Sequence, residues 1–296
     1  MFHRSGSAKA GMAKNEHVKK SAVIQRFFCA CVKLLLVLSA FNACAVNNCP
    51  PQHIDESARV NYVYDGDTLQ LEDGRKIRML GIDTPEVFSR QREIPADIKA
   101  AGEKARADLQ QQLNMAQHKV SLAFGPQRFD RYSRTLAHVF LADGTNLQAR
   151  LIAQGDAIAF TTPPNDRMSS CYRQLEAKAM QAEKGIWQLP RYQLTQVSQL
   201  NNESEGFYRI QGAVSRIWQS NFAVTVFLDK RLEVKILNYD LPNFNAYMLN
   251  SLMGKKVIVR GWLRQKRSKD KRHDTPRSEL IFSMNLRHPD NIKVLK

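Results

Sequence analysis

The sequence has few cysteines, few glycines and prolines, and few acidic residues for its length. Five cysteines in 296 residues exclude a disulfide-dense scaffold, and 14 glycines with 11 prolines exclude a low-complexity chain. Hydrophobic residues make up 43% of the chain, which is enough for folded cores and excludes wholesale disorder. The 28 acidic residues face 44 Lys and Arg, which gives a net charge of +16. Such an excess is typical of a chain with an anionic partner, either nucleic acid or an acidic membrane surface.

The first 45 residues have the pattern of a secretory signal. They carry seven basic residues against the single acidic Glu16, followed by an apolar run from Leu34 to Phe41 and by small residues on either side of Cys44. Lys33 interrupts the apolar stretch, which favours a removed signal over a retained membrane anchor. Lipidation at Cys44 is a third alternative. Residues 1–45 are therefore interpreted as a signal peptide or membrane anchor, and the protein as exported, either periplasmic or secreted, or else anchored or lipidated.

Removal of that segment leaves only two of the five cysteines, Cys49 and Cys171. In an oxidising compartment these two can pair, which ties the N-terminal arm of the mature chain to the region around Cys171. Two free thiols are the alternative.

Charge divides the rest of the chain into two parts. Residues 46–190 hold 18 basic and 18 acidic residues, whereas residues 191–296 hold 19 basic and 9 acidic ones. Together with the polar stretch from Gln193 to Glu205, this shift predicts a domain boundary near 190–205. The predicted organisation is an N-terminal arm (46–57), a first domain (58–190), a linker (191–205) and a basic, β-rich domain (206–296).

Apolar periodicity and turn residues predict five strands and three helices in the first domain. Two Asp-Gly turns separate three strands in meander order, and a helix and two more strands follow. The predicted elements are strands Val60–Tyr64, Thr68–Leu71, Lys76–Ile82, Lys119–Phe124 and Thr135–Leu141, a helix through Ile98–Leu113, a helix from the Asn146 cap to Gly155, and a helix from Ser169 or Ser170 to Gly185. This order predicts a mainly β fold with α-helices (α+β), a five-stranded barrel of the oligonucleotide-binding (OB) type.

Polar side chains cluster at the ends of the second and third predicted strands. The cluster consists of Asp67, Arg78, Asp83, Thr84 and Glu86. Arg78 and Asp83 are five residues apart and lie on opposite faces of an ideal strand, but Gly81 and the Thr84-Pro85 exit permit a twist that brings them together. Singly, these side chains also fit a turn residue, a solvated strand residue and a loop charge.

Three motifs of this chain, taken together, resemble those of a known family. They are Asp65-Gly66-Asp67-Thr68, then the segment from Arg78 to Glu86 (RMLGIDTPE), then Asp130-Arg131-Tyr132-Ser133-Arg134. Their order and spacing resemble the thermonuclease (staphylococcal nuclease) family, and the resemblance extends over most of residues 58–188. It implies a staphylococcal-nuclease-type barrel with three helices.

The resemblance also implies a calcium-dependent phosphodiesterase. Asp67 and Asp83 correspond to the carboxylate ligands of Ca²⁺, and Thr84 provides a carbonyl ligand. Hard cations of this kind prefer oxygen ligands, and neither His nor Cys occurs in the three motifs, so zinc is disfavoured. Glu86 corresponds to the carboxylate that acts as general base or orients the attacking water.

Basic and aromatic residues complete the site that the resemblance implies. Arg78 and Arg134 correspond to the two arginines that hold the phosphate, a task suited to guanidinium groups because they stay charged and donate in pairs. Arg131 and Tyr132 match positions that contact the far phosphate of a bound nucleotide. Phe160 occupies a position that packs near the base.

The basic C-terminal part is predicted to form a second, smaller barrel. Alternation predicts strands Phe207–Trp218, Ala223–Leu228, Leu232–Leu237, Lys256–Leu263 and Leu280–Met284, with a helix at Phe244–Leu252. Because the helix falls between the third and fourth strands, as in the first domain, an OB-like fold is predicted. A loop with six basic residues, Lys266–Arg277, borders the usual nucleic-acid groove of that fold or is a flexible charged loop. Trp218, Phe222 and Trp262 either stack on bases or belong to the core.

The sequence as a whole predicts an exported, calcium-dependent, sugar-nonspecific nuclease that cleaves DNA and RNA to 3′-phosphate products. One alternative is a nucleic-acid-binding protein on the same fold without chemistry. Another is a membrane-attached, partner-binding protein whose basic end meets anionic lipid. The sequence indicates DNA and RNA as substrates, allows membrane attachment through the N-terminal segment, and indicates no protein partner.

Overall fold

The structure is a computed structural model that describes residues 49–89, 93–266 and 281–295. The predicted signal or anchor (1–45) and almost all of the predicted basic loop lie outside the described residues. Among those that are described, no helix is long and apolar enough to cross a membrane. The described residues all belong to one unit, Asn48–Lys296.

The first part of the described chain forms a closed five-stranded barrel with three helices. Its elements are β1 (Glu56–Val63), β2 (Thr68–Leu71), β3 (Lys76–Met79), β4 (Ile82–Asp83), α1 (Ala96–Met115), β5 (Lys119–Phe129), β6 (Thr135–Phe140), α2 (Leu147–Gln154), β7 (Ile158–Ala159) and α3 (Ser169–Gln181). The barrel closes in the order β1-β2-β3-β6-β5, with β3 and β6 parallel and the other pairs antiparallel. The predicted fold class and the three predicted helices are confirmed.

Local sequence explains where the shorter helices begin and end. The Asn146 side chain accepts a hydrogen bond from the backbone N–H of Ala149 (3.0 Å), and Gly155 ends α2 in the left-handed conformation at φ 80°. The third helix stops at Gln181, four residues before the predicted Gly185. It stops there because the chain turns to pack on the end of α2, where the backbone N–H of Ile186 donates to the carbonyl of Gly155 (2.8 Å).

The predicted strand Lys76–Ile82 is divided into two strands in the structure. Gly81 adopts φ +77°, a left-handed conformation that breaks the strand after β3. After this turn, β4 leaves the barrel and pairs with β7 in a separate two-stranded sheet. The division matters for the site because it turns the strand that carries Asp83 back toward Arg78.

A disulfide attaches the N-terminal arm to the first barrel. Cys49 and Cys171 are bonded across 122 residues, with their Cα atoms 5.8 Å apart, which decides the open alternative in favour of pairing. Cys49 is buried in the barrel core, and its carbonyl accepts a hydrogen bond from Asn146 (3.0 Å). The disulfide therefore fixes the arm against the N-terminus of α2 as well as against α3.

The basic C-terminal part forms a second barrel. Its elements are β8 (Leu194–Gln196), β9 (Gly206–Gln219), β10 (Ala223–Leu228), β11 (Leu232–Leu237), α4 (Ala246–Asn250), β12 (Lys256–Lys266), β13 (Ile281–Asn285) and β14 (Ile292–Val294). Pairing runs β9-β10-β11-β13-β12, and β12 pairs again with β9, so this order repeats that of the first barrel. The segment predicted as a linker carries β8, which pairs in parallel with β9. The predicted helix Phe244–Leu252 is shorter, because Asn245 caps its first turn.

Buried contacts join the two barrels next to β7 and α3. Arg260 on β12 donates to both carboxylate oxygens of Glu176 on α3 and to the carbonyl of Ala159 (3.0 Å). Glu176 in turn accepts a hydrogen bond from the backbone N–H of Ala159 (2.8 Å). The Trp262 ring packs edge-on against Phe160, with 4.5 Å between ring centroids. The second barrel is therefore fixed to the strand that pairs with β4.

Candidate active site

The turn before β2 holds Asp67, the first acidic residue of the predicted site. The side chain of Asp65 accepts a hydrogen bond from the backbone N–H of Asp67 (3.0 Å), which shapes the turn and leaves the Asp67 carboxylate pointing inward, 5% exposed. A Cβ at Gly66 would lie 2.7 Å from a methyl carbon of Thr84 and 2.8 Å from Ala105. The glycine is required there because the turn approaches both side chains closely.

Two of the predicted metal-binding carboxylates meet at a single guanidinium. One Nη atom of Arg78 lies 2.6 Å from Asp83 and 3.2 Å from Asp67. The backbone N–H and the hydroxyl of Thr84 donate to the same Asp67 oxygen, at 3.0 and 3.2 Å. The twist at Gly81, which the sequence permits, thus brings Arg78 and Asp83 together, and Asp67 and Thr84 belong to the same cluster.

The guanidinium of Arg78 is engaged by the protein on both of its terminal nitrogens. Its second Nη atom donates to the carbonyls of Met79 (2.7 Å) and Ile82 (2.9 Å), on either side of the Gly81 turn. In this structure, Arg78 therefore cross-links the turn and the carboxylates, and a bound phosphate would have to replace some of these partners.

Glu86 lies at the edge of the same cluster. Its side chain is exposed, and its negative charge acts to raise the pKa of Asp83. Glu86 and Asp83 also line the same cavity.

The cluster holds more negative charge than its own arginine balances. Burial is the main cause that raises the pKa of Asp83, and the charge of Asp67 adds to it, while Arg78 acts in the opposite direction. Burial and the charge of Asp67 likewise raise the pKa of Asp65. Half-buried carboxylates that lie close to another negative charge are stabilised in their charged form by an additional cation.

The second predicted arginine is oriented by an aspartate of its own motif. Asp130 accepts hydrogen bonds from the Nε of Arg134 (2.8 Å) and from the backbone N–H groups of Tyr132 and Arg134 (both 2.9 Å). Burial acts to raise the pKa of Asp130, but these hydrogen bonds from Arg134 outweigh it and lower the pKa. The side chain of Arg134 is 28% exposed, compared with 15% for that of Arg78.

Thr68 joins the two halves of the site, which are the cluster of Asp67, Arg78 and Asp83 on one side and Arg134 on the other. The sequence did not predict this role. The hydroxyl of Thr68 donates to Asp67 (3.0 Å) and lies 3.4 Å from a terminal nitrogen of Arg134. On the neighbouring strand, Thr68 is paired with Arg78. Asp65 and Asp130 were also given no role, although all three residues stand inside the motifs that were singled out, which is the signal that marks them.

The remaining predicted residues divide between the site and the barrel interface. Arg131 and Tyr132 lie in the exposed turn before Arg134, and the guanidinium of Arg131 donates to the Tyr132 hydroxyl (2.6 Å). Phe160, predicted to pack near a base, is half-buried against Trp262 of the second barrel. Trp262 is thereby an interface residue, whereas Trp218 and Phe222 are exposed on the outside of the second barrel.

The donor chemistry of the cluster fits a hard cation. No group of three or more His, Cys, Asp or Glu side chains within the described ranges has the arrangement of a ready metal site. The available ligands are the carboxylates of Asp67 and Asp83 and the backbone of Thr84, and these are oxygen donors of the type that Ca²⁺ takes together with water. The raised pKa values of Asp65 and Asp83 provide the electrostatic reason for a cation to bind there.

Comparison with known proteins identifies relatives of the first barrel. The sequence model of the family described as "Staphylococcal nuclease homologue" matches residues 76–189, a range that ends before the second barrel. The chain is 32% identical over 136 residues to the thermonuclease of Staphylococcus intermedius, an alignment that covers 45% of this chain and 77% of that protein. The thermonuclease of Staphylococcus hyicus is also 32% identical over 136 residues, covering 45% and 76%. The chain is also 27% identical over 135 residues to an endonuclease of Bacillus subtilis (strain 168), an alignment that covers 43% of this chain and 11% of that endonuclease.

Proposed function

We propose that this chain, which belongs to the staphylococcal nuclease homologue family and is a hydrolytic nuclease, cleaves the phosphodiester bonds of both DNA and RNA. The proposed reaction depends on calcium. One observation carries the proposal: carboxylates and arginines from three separate motifs converge at the ends of β2, β3, β4 and β6. A site with both signs of charge suits a reaction in which water is activated on one side of a phosphate whose oxygens gain negative charge.

Each residue type has a task in that reaction. Glu86 accepts a proton from the attacking water, because this carboxylate is exposed to water and lines the same cavity as Asp83 and Thr84. Arg134, held in place by Asp130, donates to the phosphate oxygens, and Arg78 does so after exchanging a protein partner for the phosphate. A Ca²⁺ ion held by Asp67, Asp83 and Thr84 would supply positive charge beside the phosphate.

The expected products follow from which ester bond is broken. When the water oxygen bonds to phosphorus and the 5′ oxygen leaves with a proton, the strand separates into a 3′-phosphate and a 5′-hydroxyl. Because the nucleophile is water and not the 2′-hydroxyl, the proposed chemistry is the same for DNA and RNA.

We further propose that the protein is exported. The basic and apolar pattern of the first 45 residues supports this proposal. The Cys49–Cys171 disulfide also supports it, because such bonds form and persist in oxidising compartments.

One observation favours the binding protein without chemistry as a second candidate. The terminal nitrogens of Arg78 are engaged by Asp83, Asp67 and two backbone carbonyls, which leaves Arg134 as the more accessible of the two arginines. A site that never releases Arg78 would bind a strand without stabilising the charge that develops during hydrolysis.

The two candidates differ in the products that appear. Denatured DNA and RNA, incubated with the purified protein and Ca²⁺, are expected to yield fragments that carry a 3′-phosphate, which a phosphatase specific for 3′-phosphates removes as inorganic phosphate. A chelator is expected to abolish the fragments, and Arg78→Ala is expected to slow their formation by about 100-fold or more. Binding without fragments under Ca²⁺ or any other divalent cation would establish the second candidate.

A further inference from the structure

The candidate active site opens into a cleft between the two barrels. The cleft has a volume of about 720 Å³ and is lined on one side by Asp83, Thr84 and Glu86. Its opposite side comes from residues beyond the match to the nuclease family, among them Arg191, Trp262 and Arg264. The volume lies within the range of about 300–1,000 Å³ that is typical of pockets enclosing a small organic ligand. Catalytic residues and the second barrel therefore share one cavity.

Buried contacts fix the far wall of the cleft, which is the side formed by Arg191, Trp262 and Arg264. The Trp262 ring packs on Phe160, and the Phe207 ring lies 5.5 Å from Trp262, between centroids. On the same strand as Trp262, Arg260 is held by Glu176 and the Ala159 carbonyl. Because β7 pairs with β4, these contacts connect the far wall directly to the strand that carries Asp83. The cleft is thus formed before any ligand binds.

Charge across the cleft is divided between its two sides. The side that belongs to the candidate active site is acidic, through Asp83 and Glu86. The opposite side carries Arg191, half-buried, and Arg264, exposed, together with the acidic Glu205. An anion that enters the cleft is therefore repelled from the first side and attracted by the two guanidinium groups, which bind phosphates well because they donate in pairs.

The geometry fits a polymer better than a small anion. A phosphodiester strand whose scissile phosphate lies at Arg78 and Arg134 has to continue past the site in two directions. Arg131 and Tyr132 stand in the turn next to Arg134 and are not among the residues that line this cleft, so they serve one direction. The cleft, which begins at Asp83 and Glu86, provides a path for the other.

We propose that the cleft between the barrels binds the nucleic acid strand adjacent to the scissile phosphate, and that Arg191 and Arg264 each contact a backbone phosphate. The second barrel then completes the substrate site of the first. The inference rests on the proposed nuclease function for its substrate, but strand binding in the cleft can be measured without cleavage.

The binding test uses the full chain, a chelator to prevent cleavage, and a fluorescently labelled 12-nucleotide single strand of thymidines. Fluorescence anisotropy gives the affinity at several salt concentrations. Each phosphate contact on a single strand contributes about −0.7 to the slope of log affinity against log salt, so Arg191→Ala/Arg264→Ala is expected to lower the steepness of this slope by about 1.4. Arg264→Ala alone is expected to lower it by about 0.7, and because Arg264 is exposed this variant keeps the fold.

The matched control is Arg216→Ala/Lys293→Ala, which removes the same charge from exposed positions of the second barrel outside the cleft. We expect its slope to equal that of the wild type. If the control loses as much slope as the cleft variant, or if the cleft variant loses none, strand binding in the cleft is refuted.

Cleavage separates this inference from the proposed function. With Ca²⁺, the kcat/KM of the cleft variant on the 12-nucleotide strand is expected to be at least about tenfold lower than that of the wild type. A phosphodiester that contains a single thymidine nucleotide is expected to be cut by this variant at the wild-type rate. Equal losses on both substrates would contradict the inference and leave the nuclease function standing. If the wild type cuts neither substrate, the proposed function fails, and the anisotropy result alone decides whether the cleft binds the strand.

Discussion

At the scale of single residues, the hydroxyl of Thr68 connects the proposed metal ligand Asp67 with Arg134, one of the two arginines that are proposed to bind the phosphate. It donates to Asp67 and lies within reach of Arg134. We expect Thr68→Val, which keeps the shape and removes the hydroxyl, to lower kcat/KM by about 10- to 100-fold, because small displacements of catalytic groups have effects of this size. The buried Asp67 oxygen also loses a partner, so unfolding should require about 1–3 kcal/mol less.

Thr68→Ser is the matched control for this change. It retains the hydroxyl, so its kcat/KM is expected to stay within about threefold of the wild type. Steady-state kinetics and urea unfolding of both variants measure the effect. If the serine variant loses as much activity as the valine variant, the hydroxyl does not link the two halves of the site.

Residue roles inside the site could be predicted only in part from the sequence. The approach of Arg78 to Asp83 was anticipated as an arrangement that Gly81 and the Thr84-Pro85 exit permit. The engagement of Arg78 with the carbonyls of Met79 and Ile82 was not, because backbone acceptors leave no trace in the sequence. Thr68 was missed because a threonine at the start of a strand is ordinary there.

At the scale of the secondary structure elements, the site depends on the turn between β3 and β4. A Cβ at Gly81 would lie 2.6 Å from the ring of the buried Tyr172, at φ +77°. Gly81→Ala is therefore expected to lower the free energy of unfolding by about 3 kcal/mol or more, since a left-handed alanine alone costs about 1–2 kcal/mol and the clash adds to it. The same variant should lose most of its activity, because β4 carries Asp83.

Gly74, in the turn before β3, offers the control. It also has a positive φ, +87°, but a Cβ there would meet no atom within 4 Å. Gly74→Ala is expected to cost only the conformational penalty of about 1–2 kcal/mol and to retain activity. Urea unfolding of the two variants side by side measures the difference. Equal destabilisation would show that contact with Tyr172 does not hold this turn.

At the scale of the whole molecule, a buried ion pair fixes the second barrel to the first. Arg260 and Glu176 are 84 residues apart in the sequence and 8% and 3% exposed. Without Arg260, the buried Glu176 keeps only Arg173 and the N–H of Ala159 as partners, so Arg260→Met is expected to lower the free energy of unfolding by about 3 kcal/mol. The exposed Arg264 on the same strand gives the control, because Arg264→Met should change stability by less than about 0.5 kcal/mol. Similar losses in both variants would refute the role of the pair.

The same pair predicts how stability depends on pH. Burial acts to raise the pKa of Glu176, but Arg260 and Arg173 outweigh it and hold the pKa below its ordinary value of 4.5. A carboxyl whose pKa is lowered by folding stabilises the protein above its unfolded pKa, and this contribution disappears as the pH falls through the folded value. The stability gap between the wild type and Arg260→Met should therefore be largest near neutral pH and narrow below about pH 4.5. A gap that widens in acid would contradict this assignment.

The two barrels were largely predictable from sequence, whereas the contacts between them were not. Alternation of period two and Asp-Gly turns are local signals, and they predicted the strands of both barrels and their common order. Glu176, Arg260, Phe160 and Trp262 carry no local signal, since each fits a solvated or core position equally well. Their partners lie on a different barrel, and only the folded arrangement shows that Phe160 packs on Trp262.

Hydrolysis of phosphodiesters by the cluster around Asp67, Asp83 and Glu86 can be tested by following cleavage within a single turnover. Single-turnover cleavage of an end-labelled DNA strand is compared for the wild type, Glu86→Gln and the exposed Glu72→Gln in Ca²⁺. We expect the wild type and Glu72→Gln to cleave at equal rates, a chelator to stop both, and Glu86→Gln to be about 100- to 10,000-fold slower. Cleavage by Glu86→Gln at the wild-type rate would contradict the assignment of Glu86, and absence of cleavage by the folded wild type would contradict hydrolysis by this cluster.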